Sequence, residues 1–414
     1  MKKTFFLCIF FLFCMSCEVC GAELSAQYAC VLEPVNGVYL SEKNGDDRYP
    51  MASTTKIMTA LIALEQCALD ETVTISPTAA GTEGSSAYLR AGEQLTMENL
   101  LYGLMLNSGN DAAMAIAEHI SGSKEEFARL MNRRAAQLGL KNTAFRNPSG
   151  LDEDGHYTTA KELALIAAEA MKLPAFREIV ASQTHRADNA AAGETRYFSN
   201  HNKLLHLYPD AVGIKTGYTK STGRCLVSAA ERDGVLLIGV TLCAPNDWND
   251  HKAMLDEGFS RIQMEPVVTE GQILKTLKTD TGEYPLISGR TLSVPVIDGK
   301  KPPADMVIHA PAELTGGMNA GELAGKAEVY RGGRYLGQIE LLSRDQIPAS
   351  QQIKLRKTFA DCIREVLSKI GLGSSVGATL CGRPSSQIAY LCVSDEINRF
   401  PQRAHTQVRP YRYS

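Results

Sequence analysis

Three short motifs follow one another along the chain: Ser53-Thr54-Thr55-Lys56, Ser108-Gly109-Asn110 and Lys215-Thr216-Gly217. Together they offer a hydroxyl nucleophile, a lysine one helical turn away to take its proton, a polar triad, and a cation beside a hydroxyl suited to gripping a carboxylate. That is equipment for acyl transfer through a serine ester, with neither histidine nor metal required. Lysine acts as a base only when neutral, and burial next to other positive charge lowers its proton affinity toward neutral pH. Taken singly, each motif has a plainer reading: a solvent-facing Ser and Lys on an amphipathic helix, a helix–helix connection, an ordinary strand end. Their order and spacing carry the chemical reading.

The surrounding residues predict elements that would position these groups. Residues 54–64 lack Gly and Pro and lead into Glu65-Gln66, so a helix starts at Ser53. Residues three apart share a helix face, which brings Lys56 back toward the Ser53 hydroxyl beside the unpaired N–H groups of the helix start. Thr96 opens a helical run over 97–106, and Ala112, Ala113, Ile116, Ala117 and Ile120 mark another, so the Ser108 triad lies between two helices. Residues 211–219 precede two apolar runs, 224–230 and 235–242, joined at Asp233-Gly234, a strong hairpin signal. The Lys215 strand is expected beside that hairpin at a sheet edge, with Gly217 leaving room for a substrate backbone. A first hairpin around Asn36-Gly37 and capping pairs Ser123/Glu126 and Thr159/Glu162 complete an α/β (α+β) pattern of antiparallel sheet with helices packed on it.

These motifs, with residues 50–60, 107–113, 147–151, 200–205 and 213–219, closely resemble the D-alanyl-D-alanine carboxypeptidases, the low-molecular-mass penicillin-binding proteins, over roughly residues 26–343. The resemblance implies a penicillin-binding-protein/β-lactamase-like catalytic domain and a small all-β domain after it, with no cofactor. It implies Ser53 as acylated nucleophile, Lys56 as general base and Ser108 as relay of the proton to the departing D-alanine. Asn110 would bind the peptide and orient Lys56, and Lys215 and Thr216 would hold the terminal carboxylate. The N–H groups of Ser53 and of Tyr218, next to Gly217, would form the oxyanion hole. The implied partners are peptidoglycan stem peptides, trimmed of one D-alanine, and β-lactams, which would acylate Ser53. Three alternatives stand beside this: a D,D-endopeptidase acting on crosslinks, a wall-binding scaffold with an inactive site, and a class A-like β-lactamase. The last needs a carboxylate to activate water; Asp152, Glu153 and Asp154 are near, and nothing marks one of them as that base.

At 414 residues the chain is too long for one typical domain, and its net charge of −3 gives no basic field for nucleic acid. Lys2-Lys3, an apolar run over 4–15 and Cys20-Gly21-Ala22 read as a secretory signal, residues 1–22, with lipidation at Cys17 or Cys20 as the alternative. Export to the outer face of the cytoplasmic membrane or the cell-wall space follows. The expected divisions are then a catalytic domain over 23–263, a β-rich domain over 264–348, an amphipathic helix over 352–372 and a tail of unassigned structure over 373–414. The helix puts Leu355, Phe359, Cys362, Ile363, Val366, Leu367 and Ile370 on one face; the resemblance implies that it lies on the membrane surface, against docking on the β domain.

Cleavage after Ala22 leaves Cys30, Cys67, Cys225, Cys243, Cys362, Cys381 and Cys392, too scattered for a disulfide framework. A two-residue turn at Asp233-Gly234 pairs position 225 with 242, so Cys243 faces away from Cys225, and both read as small core residues. No Cys or His cluster has metal-ligand spacing, which argues against a zinc D,D-peptidase. His156 and Tyr157 are candidates to line the cleft, a surface loop being the plainer role. Some members of the resembled family present an arginine to substrate near the position of Trp248, and none occurs in that stretch here.

Overall fold

The computed structural model describes residues 23–189, 194–279, 282–301, 303–310, 313–315, 318–347, 352–354, 379–380 and 391–392. The expected leader, most of the expected C-terminal helix and most of the tail lie outside them. Residues 352–354 differ from expectation: Gln352–Lys354 is a short strand paired with Glu313–Thr315, not the start of a helix. The apolar periodicity begins only at Leu355, so nothing in Gln352-Ile353-Lys354 favoured a helix over backbone pairing.

The chain divides into two units. One runs through Val267 and takes in Ser293–Asp305 and Tyr330–Leu336; the other comprises Val268–Leu292, Met306–Val329 and Gly337–Ser414. A single cut at 263/264 therefore does not describe the division. Strand Ile262–Val268 pairs with Leu292–Ile297, and Ile297 packs against the core cluster that includes Leu255 and Phe259, which draws a later segment into the first unit.

The first unit is built on a five-stranded antiparallel sheet in the order Val38–Lys43, Tyr28–Glu33, Val235–Leu242, Gly223–Arg232, Ala211–Thr219. Side chains alternate across it as the period of two requires. Cys30, Leu32, Ile238 and Val240 face a large core of helices, whereas Ala29, Val31 and Leu237 face helix Asp247–Ser260 through Leu255 and Phe259. The Asp233-Gly234 turn has positive φ at both residues (51° and 80°), the signature of a two-residue hairpin, and sets Leu226 opposite Thr241. Helix Lys56–Gln66 runs through the middle of the larger core: Lys56 to Ala63 are all buried, so the helix has no solvent-facing side there. Helices Met97–Met105, Lys124–Gln137 and Ala160–Ala170 start where the caps predict, with Thr96, Ser123 and Thr159 each accepting an N–H three residues on. Strand Ala211–Thr219 is the sheet edge and lies against the short turn Ala52–Thr55 that leads into helix Lys56–Gln66.

The second unit is a β structure whose core is Leu277, Leu286, Ala324, Ala327 and Leu341. Among the described residues, no helix of the chain is long and apolar enough to cross a membrane.

Candidate active site

Ser53 sits in a short 3-10 turn, Ala52–Thr55, that feeds directly into the helix beginning at Lys56. Two hydroxyls tighten the turn: Thr54 Oγ1 donates to Met51 O (2.5 Å) and Thr55 Oγ1 to Ala52 O (2.8 Å). Ala52 has φ 47°, a left-handed conformation that costs a residue with a Cβ roughly 1–3 kcal/mol and persists only when neighbours enforce it. Gly150 is one such neighbour. It has φ +87°, and a Cβ there would fall 1.8 Å from Ala52 O.

His156 is another. Its Nδ1 accepts from the Arg146 N–H (3.0 Å), so Nε2 carries the ring proton and donates to Thr55 Oγ1 (2.8 Å). Burial pushes its pKa down to about 4, leaving it neutral at pH 7. His156 is thus neither a surface histidine nor a cleft-lining one: it braces the nucleophile turn from behind. Tyr157 bridges to Ala144 and packs under the Arg48 guanidinium, away from the cleft.

Lys56 is fully buried, and its Nζ lies 3.0 Å from Ser53 Oγ, 2.7 Å from Asn110 Oδ1 and 2.6 Å from Ser149 O. Desolvation, then the positive charge of Lys215, hold its pKa well below the usual lysine value, with Asp111 pulling the other way. As a neutral amine its two N–H bonds serve Asn110 and Ser149, and its lone pair is left for the Ser53 hydroxyl. Asn110 is fully engaged, since its Nδ2 donates to Glu83 O (2.7 Å). Both ends of that amide are held by protein, which fits orienting Lys56 better than gripping a peptide. The next residue, buried Asp111, accepts from Ala87 N, Leu89 N and Ser86 Oγ (2.8, 3.0 and 2.6 Å) and so pins the segment that carries Ser85.

Ser53, Ser108, Thr216, Gly217 and Tyr218 line one cleft of about 310 Å³. Ser108 is held there at φ 60°. Lys215 is buried at the same site, and burial lowers its pKa to about 7. The eight residues singled out in the sequence therefore come together, three on the nucleophile and triad helices or their turns, the rest on the connecting triad and the edge strand. The reason for Gly217 differs from expectation. A Cβ there would meet Met51 O, Ala52 Cβ and Ser53 N at 3.2 Å each, so the missing side chain lets the strand approach the nucleophile turn rather than a substrate.

The sequence reading missed Arg224, Ser85, His201 and Lys203, all of which line the same cleft. Arg224 stands directly opposite Tyr218 on the neighbouring strand. Its Nε and Nη2 reach Asp247 Oδ1 (3.0 and 2.7 Å), with the guanidinium 5.4 Å from the Trp248 ring. An arginine sought near Trp248 in sequence thus reaches that place from another strand. Asn200-His201-Asn202-Lys203 had already stood out as a stretch, without a role. None of Asp152, Glu153 and Asp154 lines this cleft; they line a separate cavity with His156. Asp152 is held by the Thr219 and Ser221 hydroxyls (3.0 and 2.6 Å), and Glu153 by Asn147 Nδ2 (3.1 Å). Cys225 and Cys243 are unpaired; Cys225 is buried as expected, but Cys243 is only half-buried, at φ 51° just past the last sheet strand.

Comparison with known proteins shows what the chain as a whole is similar to. The profile of the D-alanyl-D-alanine carboxypeptidase family, peptidase family S11, matches residues 15–246. The chain is 32% identical over 351 residues to D-alanyl-D-alanine carboxypeptidase DacF of Bacillus subtilis (strain 168), covering 81% of this chain and 90% of that protein. Among solved structures it is similar to D-alanyl-D-alanine carboxypeptidase DacD from Francisella tularensis (25% identity, TM-score 0.57, covering 80% of this chain and 95% of that one). It is also similar to the Streptomyces K15 DD-transpeptidase (34% identity, TM-score 0.54, covering 57% and 98%). The chain therefore belongs to the D-alanyl-D-alanine carboxypeptidases, a family of serine peptidases.

Proposed function

We propose that this carboxypeptidase releases the terminal D-alanine of peptidoglycan stem pentapeptides through an ester on Ser53. The observation that carries the reading is the buried Lys56 amine 3.0 Å from Ser53 Oγ, its pKa depressed and its other partners already in place. Neutral Lys56 takes the Ser53 proton as Oγ attacks the carbonyl carbon of the penultimate D-alanine. The N–H groups of Ser53 and Tyr218 receive the oxyanion; one such donor contributes about 2.7–4 kcal/mol to transition-state stabilisation. As the C–N bond breaks, Ser108 passes the proton to the nitrogen of the departing D-alanine. Lys215 and Thr216 hold the terminal carboxylate, Arg224 adds positive charge to the same cleft, and Asn110 keeps Lys56 in place. Water then hydrolyses the ester. Among the described residues that line the cleft the carboxylate is Asp247, which is paired with Arg224 rather than left to activate that water as a β-lactamase would need. A β-lactam therefore acylates Ser53 and leaves slowly.

Mass analysis after digestion of purified muropeptides tests the reading: pentapeptide stems lose one alanine, and Ser53→Ala abolishes both this loss and the penicilloyl adduct. Monomers released from crosslinked dimers in preference to D-alanine would instead favour the endopeptidase. The leader read in residues 1–22 and the amphipathic face from Leu355 to Ile370 support action outside the cell on the cytoplasmic membrane surface. Truncation after Ser350 is expected to abolish liposome sedimentation and leave hydrolysis of a small D-Ala-D-Ala peptide unchanged; equal sedimentation of both proteins would overturn the membrane assignment.

A further inference from the structure

Away from the cleft, one group of donor atoms has no part in the reaction. The Cys67 thiol, a Glu71 carboxylate oxygen and a His119 ring nitrogen all lie within 4.8 Å of one another. Cys67 follows the last turn of helix Lys56–Gln66, with its N–H still bonded to Ala63 O (2.9 Å). Glu71 closes the turn after it: its N–H meets Ala68 O (3.2 Å), and its carbonyl accepts from Met97 N (2.8 Å). His119 stands in the last turn of helix Asn110–Ser121, its Nε2 2.8 Å from Glu71 Oε1. The backbones are therefore fixed by three separate hydrogen-bonded segments, while the side-chain tips of Glu71 and His119 reach solvent and Cys67 is half-buried.

A thiolate, an imidazole and a carboxylate are ligands that zinc accepts at about 2.0–2.3 Å in tetrahedral geometry, which sets them about 3–4 Å apart. The tips need to close only slightly to reach those separations. Two residues four apart across a turn, plus one histidine from a helix, also give the short-chelate-plus-distant-ligand layout of many zinc sites. Hard cations such as magnesium or calcium prefer all-oxygen shells and are disfavoured by the sulfur and nitrogen here.

We propose that Cys67, Glu71 and His119 form a binding site for a divalent zinc-type metal ion, with water in the fourth position. On binding, the Cys67 thiol proton leaves to solvent. His119 moves its ring proton to Nδ1 and exchanges its hydrogen bond to Glu71 for a bond to the metal. Two negative ligands then balance the two positive charges of the ion, with no change of oxidation state. The site braces the protein and takes no part in hydrolysis. At 1.5 Å per residue, Cys67 stands about 16 Å along the helix from Lys56. The ion would clamp the far ends of the two helices whose near ends bring Lys56 and Asn110 together. No short-range pattern announced it, because His119 comes from a helix remote in sequence from Cys67.

The test uses the untagged full-length protein, stripped of metal and titrated with zinc against a chromophoric chelator, then with cobalt as a spectroscopic probe. The wild type is expected to take one equivalent of zinc that Cys67→Ser and His119→Ala each bind at least about 10-fold more weakly. Cobalt should give a thiolate-to-metal charge-transfer band that Cys67→Ser lacks, and zinc should raise Tm in the wild type but not in the variants. D-alanine release and penicillin labelling stay unchanged in both, which also shows that both fold. Zinc uptake by both variants equal to that of the wild type, or no uptake by the wild type at a large excess of zinc, overturns the proposal.

Discussion

The end of the nucleophile helix and the edge of the sheet each bury one lysine in the same site, and they wire it differently. Lys56 has three partners around its nitrogen, the Asn110 and Ser149 oxygens that accept from it and the Ser53 hydroxyl, whereas among the described residues the hydrogen bond of Lys215 goes to the Thr216 carbonyl at 3.0 Å. Desolvation lowers both pKa values. A fully partnered neutral amine is a finished base. An under-partnered one beside a cleft is completed by an incoming carboxylate, which restores its charge. Burial alone thus fixes neither role; the neighbours do.

The largest effect is expected where the comparison is broken at Lys56. Lys56→Arg keeps the positive charge but provides no neutral nitrogen, since a guanidinium stays protonated. Acylation by penicillin and D-alanine release should each fall by roughly 10²–10⁴-fold, the usual worth of a general base. Stopped-flow acylation rates check this, and near-normal rates would remove Lys56 from the base role.

The same substitution at Lys215 should act differently. Its ammonium is needed charged, and with a pKa of about 7 it loses charge as pH rises through neutrality. In the wild type kcat/KM for a small D-Ala-D-Ala peptide should therefore fall on the alkaline side with an apparent pKa near 7. Lys215→Arg stays charged, so that alkaline fall should disappear even if the longer side chain lowers the plateau. An unchanged alkaline limb in Lys215→Arg would assign the titration to another group.

Gly217→Ala tests how closely the two regions must meet. Its new Cβ would press on Met51 O and Ser53 N at 3.2 Å, both backbone atoms, so the nucleophile turn must shift by a few tenths of an ångström. Small misplacements at a reacting centre cost up to about 10²-fold, and a loss of roughly tenfold or more in acylation rate with little change in Tm is expected. Unaltered acylation would mean that the approach at Gly217 has slack.

How much of this was legible in the sequence follows from how local each signal is. The Ser53–Lys56 contact rests on helix periodicity, the sheet edge on the Asp233-Gly234 turn, and the helix starts on Thr96, Ser123 and Thr159; all are decided within a few residues and were readable. Arg224 entering from a neighbouring strand, Gly150 against Ala52 O and His156 behind Thr55 are contacts between distant segments, which no period or turn encodes. Gly217 shows the intermediate case: the need for a small residue was evident, but the neighbour that demands it was not.

The smallest effect on chemistry, and the clearest on stability, is expected at His156. Its folded-state pKa of about 4 lies below the ordinary histidine value of about 6.5, because burial opposes the charged ring. Above pH ~6.5 both folded and unfolded chains keep it neutral, so its contribution is complete there. Between ~6.5 and ~4 the unfolded chain takes up a proton that the folded one refuses, and stability falls as the solution is acidified. His251, pushed down to about 3 by burial between Ser228 and Thr241, adds a similar decline, so the readout is the difference between variant and wild type. His156→Gln retains a donor toward Thr55 Oγ1 but leaves the Arg146 N–H without its ring acceptor, a loss of about 1–3 kcal/mol for a buried polar group. Tm measured from pH 7 to pH 4 should start lower in the variant and fall less steeply, with acylation of Ser53 at pH 7 reduced less than by either lysine substitution. Parallel Tm curves would show that His156 is protonated in the folded protein as readily as in solution, and the brace behind the nucleophile turn would then be an imidazolium donating from both nitrogens, which the Arg146 N–H facing Nδ1 forbids.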